Sequence, residues 1–549
     1  MKSLTWLLVF PLALSLSAMA DVHEHHSELN AEQLGTVHFP VTCEPSEQKP
    51  FEHAVALLHS FWYSEAEEQF QRIANDDPRC AMAHWGIAMS LWHQLWERPN
   101  VTVLSRGLAE SQKAAAINSN QQRVSSSSRQ PQYSKDALSR ESLYIAAISD
   151  FYSDSEKLNH GSRARAYSGE MKKLYDSYPD DHEAAAFYAL SLLAAGENLS
   201  NRKEAAAILE RIFATEPDHP GVAHYLIHSY DTPSLAEQGI PAARRYAQIA
   251  PAAPHALHMP SHIFARVGLW QDDINSNLAS IAATRKTAAM GMGGESHQFH
   301  AMDFLVYAYL QSGREADAMK VIDEIKAMPL SKNMYGMDFD PRIMTQASLE
   351  ASYPLELHQW QKAASLSPVP GADPAVKATT FLARAIGAAR AGQLSDAQKD
   401  IDELKSIVKA LLDKKNKDEA DFIDEQTAEP LAWIAHAQGK DEEAIGLLRP
   451  LAEKETEGMS TTGSLPAHEV LADLLLEASR PQQALVEYQT DLKLNPNRFD
   501  GLVGAALSAD RSGNHRQAAE YYAQLLNVCA GSHSDRPELT RAKELVAQK

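Results

Sequence analysis

Beyond residue 20 the chain has no apolar run long enough to cross a membrane, which argues against membrane insertion. Positive charge is in short supply as well. Lys and Arg number 51 against 72 Asp and Glu, a formal net charge of −21. So acidic a balance disfavours nucleic acid and anionic lipid as partners and suits cationic ligands, metals included. A Walker loop and a dinucleotide fingerprint are both missing. So is the glutamate that zinc proteases place after the first of their paired histidines: Tyr225 follows His224 and Met259 follows His258. Strand signal is nearly absent from end to end.

Cysteine is limited to Cys43, Cys80 and Cys529. In an oxidising compartment Cys43 and Cys80 are expected to pair and staple the helical hairpin between them, leaving Cys529 single. The alternative is three unpaired buried thiols. The first twenty residues speak for such a compartment. Lys2 is followed by the apolar run "LTWLLVFPLALSLS" and by Ala18-Met19-Ala20, the pattern of a cleavable secretory signal. No cysteine sits at the cleavage point, which argues against a lipid anchor. The mature chain is expected to begin at Asp21 and to be exported, in bacterial terms periplasmic.

What fills the rest is a series of Ala-rich amphipathic segments in pairs. "FHAMDFLVYAYLQSGREADA" (299–318) shows the unit: Leu305, Ala308 and Tyr309 form the ridge of a first helix, Gly313 the turn, and Ala318 the small-residue contact of a second. Residues 60–80 carry Ala66, Phe70, Ala74 and Pro78 in the same order, and segments 479–497 and 513–526 repeat it. The recurrence, near 34 residues, resembles the tetratricopeptide repeat family across roughly residues 47–530. That resemblance implies an all-α, right-handed solenoid of about eleven to twelve hairpins. The opening segment "HFPVTCEPSEQKPFEHAVALLHSFWYSEAEEQF" looks like a group of exported bacterial tetratricopeptide proteins, which implies a fold and a compartment but no reaction. The expected organisation is a signal at 1–20, a His-containing segment at 21–46, an N-terminal lobe at 47–365 and a C-terminal lobe at 374–549. The polar stretch 118–136 reads as a surface loop or insertion.

Eighteen of the 23 histidines fall in residues 1–300. In the hairpin that starts at Pro254, His255, His258 and His262 take positions two, five and nine. In the one that starts at Phe299, His300, Asp303 and Tyr307 take the same three, and His224 and His228 take five and nine of the hairpin starting at Pro220. The resemblance implies that these positions face the concave groove. Residues four apart on a helix stand about 6 Å apart along its axis. A composite metal site of His224, His228, His258, His262, His300 and Asp303 is therefore expected, with neutral imidazoles as ligands and Asp303 as ligand or as an acceptor behind them. The competing reading is a polar groove whose histidines bond one another or a bound peptide. His53, His59, His84, His93 and His182 are weaker candidates, read as packed or groove-lining residues. Pro260, between His258 and His262, implies either a bent helix from Pro254 or an extended approach to a helix that begins at Pro260.

Cleavage after Ala20 also leaves Asp21, Val22 and His23 at the amino terminus. Free amine, two amides and a third-position imidazole form a square-planar set suited to Cu(II) or Ni(II). Together with thioethers at Met290, Met292 and Met302, this places copper slightly ahead of zinc as the cofactor. No general base is positioned, so the reading leans away from an enzyme. The expectation is an exported scaffold or binding protein with a His-rich groove that takes a protein or peptide ligand. A scaffold without metal and a metal-dependent enzyme on the solenoid are the alternatives.

Overall fold

The computed structural model describes residues 33–95, 98–128, 132–196, 198–292, 295–330, 340–455 and 465–547. All regular structure among them is helical. Each helix packs against the next in sequence, and first helices also touch the first helices of neighbouring hairpins. The fold is thus a solenoid of paired helices, as the repeat in the sequence leads one to expect. Its two layers follow from the distribution of apolar residues. Tyr63–Asp76 buries one stripe, with Ala66, Phe70, Ile73 and Ala74 at helical spacing, and forms the outer layer. By contrast, helix Pro220–Tyr230 is buried at every residue, so it must lie between neighbours on all sides.

Seven helices carry the argument: α1 (Gln48–His59), α2 (His182–Ala195), α3 (Pro220–Tyr230), α4 (Pro254–His258), α5 (Pro260–Arg266), α6 (Trp270–Ala289) and α7 (Glu295–Gln311). The solenoid is wound tightly enough that α1 touches α3 across more than 160 residues of chain. Gly221 makes that contact possible, since a Cβ there would meet His59 Nδ1 at 2.3 Å. A second closure joins α7 to helix Phe499–Arg511. There the Trp270 Nε1–H donates to the Asn497 carbonyl at 2.9 Å, and Gly268, with φ of 67°, lets the Pro496 carbonyl approach where a side chain could not fit.

Arg498 locks this second closure. Fully buried, its guanidinium donates to both oxygens of Glu356 at 3.1 Å, to Glu469 at 2.7 and 3.0 Å, and to the Tyr307 hydroxyl at 3.0 Å. Asp491 is buried nearby, and its Oδ1 accepts from Asn495 at 2.8 Å. Burial, opposed by Arg498, pushes its carboxyl up to about 7. The sign follows directly: a folded pKa above the unfolded value means that the proton is retained on folding. Its contribution is therefore full below about pH 4 and is lost as pH rises toward 7, with a slope of up to about 1.4 kcal/mol per pH unit. Asp491→Asn should flatten that slope. Unfolding in urea is expected to find the variant level with the parent near pH 4 and more stable at pH 8.

Two local features differ from a simple reading of the sequence. Residues 118–127 are not a loop but the end of one long helix, Val101–Ser127. Polar side chains there are used inward: Asn118 Nδ2 donates to the Leu138 carbonyl and Ser125 Oγ to the Tyr133 carbonyl. At Pro260 the bent-helix alternative is the one observed. Met259 keeps helical angles (φ −51°, ψ −35°), its N–H donates to His255, and the His262 N–H tightens to the Met259 carbonyl at 3.2 Å.

Candidate functional site: paired histidine trios

The helices α3, α4–α5 and α7 stand side by side, and their histidines converge in two groups of three. In each group one ring nitrogen per residue lies within 4.8 Å of the others. The first is His224, His228 and His255. His224 Nε2 lies 3.1 Å from both His255 Nε2 and His228 Nε2. The second is His258, His262 and His300, with Nε2–Nε2 distances of 3.0 Å from His258 to His262 and 3.3 Å from His300 to His262.

The bonds on the far side of each ring decide what those nitrogens present. Asn277 Nδ2 donates to the Asp273 carbonyl and carboxylate, so its Oδ1 faces His258 and accepts from Nδ1 at 2.7 Å. Burial would raise the Asp231 carboxyl, but the Arg266 guanidinium and His262 hold it well below the usual carboxylate range. An ionised carboxylate only accepts, so His262 Nδ1–H donates to it at 2.9 Å. With both Nδ1 atoms protonated, His258 and His262 in their uncharged forms would direct two Nε2 lone pairs at each other across 3.0 Å. Such a contact needs a cation between or beside the rings, either a proton or a metal. Burial pushes the His258 imidazole well below its ordinary value, which opposes a proton resting on His258 itself.

In the first trio one ring is held in the same way. His224 Nδ1–H donates to the His59 carbonyl at 2.6 Å, leaving one Nε2 lone pair facing two imidazoles. Burial lowers its pKa to about 3. An imidazole held through Nδ1 by an acceptor, as His224 is by a carbonyl, His258 by an amide and His262 by a carboxylate, has the orientation that metal-binding histidines use.

A third cluster shows the contrast. His59 Nε2 and His219 Nε2 donate to the two oxygens of Glu183 at 2.7 and 3.0 Å. His219 Nδ1 accepts from the Val222 N–H, capping α3, and His59 Nδ1 faces the Tyr225 hydroxyl at 2.9 Å. Every nitrogen is accounted for, and burial of the carboxyl is outweighed by the two imidazoles, which hold it well below its usual range. This cluster is a structural clamp. It fixes His59, whose carbonyl in turn orients His224.

The residues singled out from sequence are thus distributed in a particular way. His224 and His228 enter one trio, His258, His262 and His300 the other, and Asp303 lines a chamber beside His300. Tyr307, at position nine of the third hairpin, turns to Arg498. His84 pairs with Glu110 at 2.7 Å, His182 with Glu216 at 2.5 Å, and His93 stacks on Tyr63. The Sγ atoms of Cys43 and Cys80 are 1.96 Å apart, and Cys529 is a buried free thiol. The signal at 1–20 and Asp21, Val22 and His23 lie outside the described residues. Site residues not selected from sequence are His255, which shares the position-two register, and Asp231 and Asn277, which carry no local motif.

The chamber has a volume of about 550 Å3. Its wall includes His297, His300, Asp303, Met344, Leu382 and Phe422, mostly apolar with acidic groups and no Lys or Arg. Its volume suits a small molecule or a few side chains of a peptide.

If the two Nδ1 acceptors set the lone pairs, Asn277→Leu should leave the helices in place and let His258 turn. Loss of such a partner typically costs 10–100-fold in metal affinity. The expected outcome is a weakening of that order in a competitive titration against a chromophoric chelator, with an unchanged far-UV circular dichroism spectrum.

No protein-family model matches the chain, and no curated protein matches it in sequence. Solved structures similar to it include the human IFIT1 dimer with m7Gppp-AAAA, at 12% identity and a TM-score of 0.33, covering 82% of this chain and 90% of that one. A monomeric IFIT1 mutant with Gppp-AAAA stands at 13% and 0.33, covering 91% and 99%. The APC/C hetero-tetramer Cut9–Hcn1 stands at 11% and 0.27, covering 90% and 94%. At these scores the likenesses carry nothing about ligand or partner.

Proposed function

We propose that this protein is an exported helical-repeat binding protein that holds a transition-metal ion in the trio His258, His262 and His300. One observation carries the reading: the buried His258 and the half-buried His262, each with its Nδ1–H held by an acceptor, face each other through Nε2 at 3.0 Å. Neutral nitrogen ligands suit copper or zinc rather than magnesium or calcium. Export rests on the signal-like pattern of residues 1–20. The chamber beside His300 supplies the place for a small or peptidic ligand. Its position also favours a second reading, metal-dependent chemistry on a molecule in the chamber, because an ion held by three residues keeps a coordination position open.

The test is elemental analysis of the signal-cleaved protein, purified from its own export route without a histidine tag or chelator. Bound copper or zinc that disappears in the His258→Ala/His262→Ala variant is the expected result. A protein that arrives without metal and takes up neither ion beyond its amino-terminal tripeptide would overturn the reading in favour of a metal-free scaffold.

A further inference from the structure

We propose that the two trios together hold two copper ions side by side, one sealed beneath Phe61 and the other open to the chamber at His300. The proposal rests on the metal reading above and extends it from one ion to a pair.

The pairing follows from the helices. The five residues of α4 supply both groups, with His255 in the first trio and His258 in the second. α3 completes the first with His224 and His228, and α5 and α7 complete the second. Ring centroids of His255 and His258 are 6.0 Å apart, and those of His228 and His262 are 6.2 Å apart. The nitrogens nevertheless form two separate groups of three, so the six do not converge on one ion. Two ions with three imidazoles each fit the geometry.

Charge selects copper. Neither trio contains a carboxylate. The carboxylate bonded to His262, Asp231, also accepts from Arg266 Nε at 2.9 Å, and that guanidinium offsets its charge. Two zinc ions would bring twice the charge of two Cu(I) ions to two sets of imidazoles, one buried and one half-buried, and uncompensated charge is costly where burial is complete. Imidazole is a good ligand for copper in both oxidation states.

The two positions differ in access. Phe61 adopts φ of 52°, the left-handed region, which a bulky residue rarely occupies and where its backbone is strained. Its ring touches the whole first trio, with centroids 4.3 Å from His224, 5.5 Å from His255 and 5.7 Å from His228. All three histidines are buried. In the second trio His300 forms part of the chamber wall. One ion would be enclosed, the other reachable by a small molecule.

The experiment uses the full signal-cleaved chain carrying His23→Ala, which removes the amino-terminal copper motif from the count. Metal-free protein is titrated anaerobically with Cu(I). The expected stoichiometry is two per chain, falling to one in His255→Ala and to one in His262→Ala. The copper is then oxidised with ferricyanide, which takes one electron from each Cu(I) and becomes ferrocyanide. The electron paramagnetic resonance spectrum of the two-copper form is expected to differ from the sum of the two single-site variants, through magnetic interaction of neighbouring ions. Removal of Cu(I) by bicinchoninate should show a fast and a slow phase, and Phe61→Gly, which fits the left-handed backbone, should speed the slow phase at least ten-fold. One equivalent lost only in His262→Ala would overturn the pair and leave the single-ion reading standing. No uptake at all would overturn both. Two equivalents of zinc with copper refused, or a spectrum equal to the sum, would overturn the copper pair, and an unchanged slow phase in Phe61→Gly would overturn the sealing by Phe61.

Discussion

Arg498→Ala is expected to cost about 3–5 kcal/mol of stability, because it leaves Glu356 and Glu469 buried face to face with their shared cation gone. Both carboxylates meet the guanidinium with two oxygens, so the loss includes four charge-assisted bonds as well as the repulsion that follows. Arg498→Met in a Glu356→Gln/Glu469→Gln background should recover much of the difference, since a neutral, similarly sized replacement removes the stranded charges. A repeat array loses structure in segments, so a global midpoint registers a loss without locating it. Hydrogen exchange along the chain is better. Protection should fall first in the stretches that Arg498 joins, around residues 268–311, 341–356 and 469–511, while α1 and α2 keep theirs. Unchanged exchange at this seam would show that the closure holds without the Arg498 ion pairs.

The second large effect concerns the metal. An ion that binds the folded chain and not the unfolded one stabilises it by RT ln(1 + [L]/Kd), about 4 kcal/mol when the free ion stands at 1,000 times its dissociation constant. Adding a strong chelator to the metal-loaded protein is therefore expected to lower its thermal midpoint by several degrees. The same chelator should leave the His258→Ala/His262→Ala variant where it was. The contrast matters more than the size. A chelator that shifts both proteins equally would place the stabilising ion elsewhere. Glu183→Gln gives a useful comparison: it disturbs the hydrogen-bonded clamp on His59 and should lower stability with or without the ion.

Much of this arrangement was legible in the sequence. The 34-residue recurrence announced the solenoid, because Ala, Gly and aromatic positions in a helical hairpin repeat with the packing they serve. The histidine register was legible for the same reason. Positions two, five and nine lie on one face of a first helix, and five of the six candidates chosen on that basis sit in the trios. What the register could not convey is how each hairpin is rotated relative to the last. That rotation brings His255 into contact with His224, directs Asp303 to the chamber and sends Tyr307 to Arg498. Nor could it reveal residues recruited by tertiary closure. Asn277 lies on the inner stripe of α6, Asp231 just past the end of α3, and His59 some 165 residues from the ring that its carbonyl orients. Phe61 is hidden for a different reason, since its sequence gives no sign of a left-handed backbone in a bulky residue.

The division among the three histidine clusters also explains why counting histidines is a weak guide. His59, Glu183 and His219 are as close together as either trio, yet tautomer bookkeeping uses every one of their nitrogens. The trios differ because three of their six rings, His224, His258 and His262, have Nδ1 on a carbonyl, an amide and a carboxylate, which leaves those Nε2 lone pairs turned toward the neighbouring rings.

The measurement that tests this most directly is the anomalous diffraction of crystals grown from natively exported, metal-loaded protein, with data collected on both sides of the copper and zinc edges. The account predicts a peak bounded by the Nε2 atoms of His258, His262 and His300. No peak there, or a peak only between His59, Glu183 and His219, would contradict it.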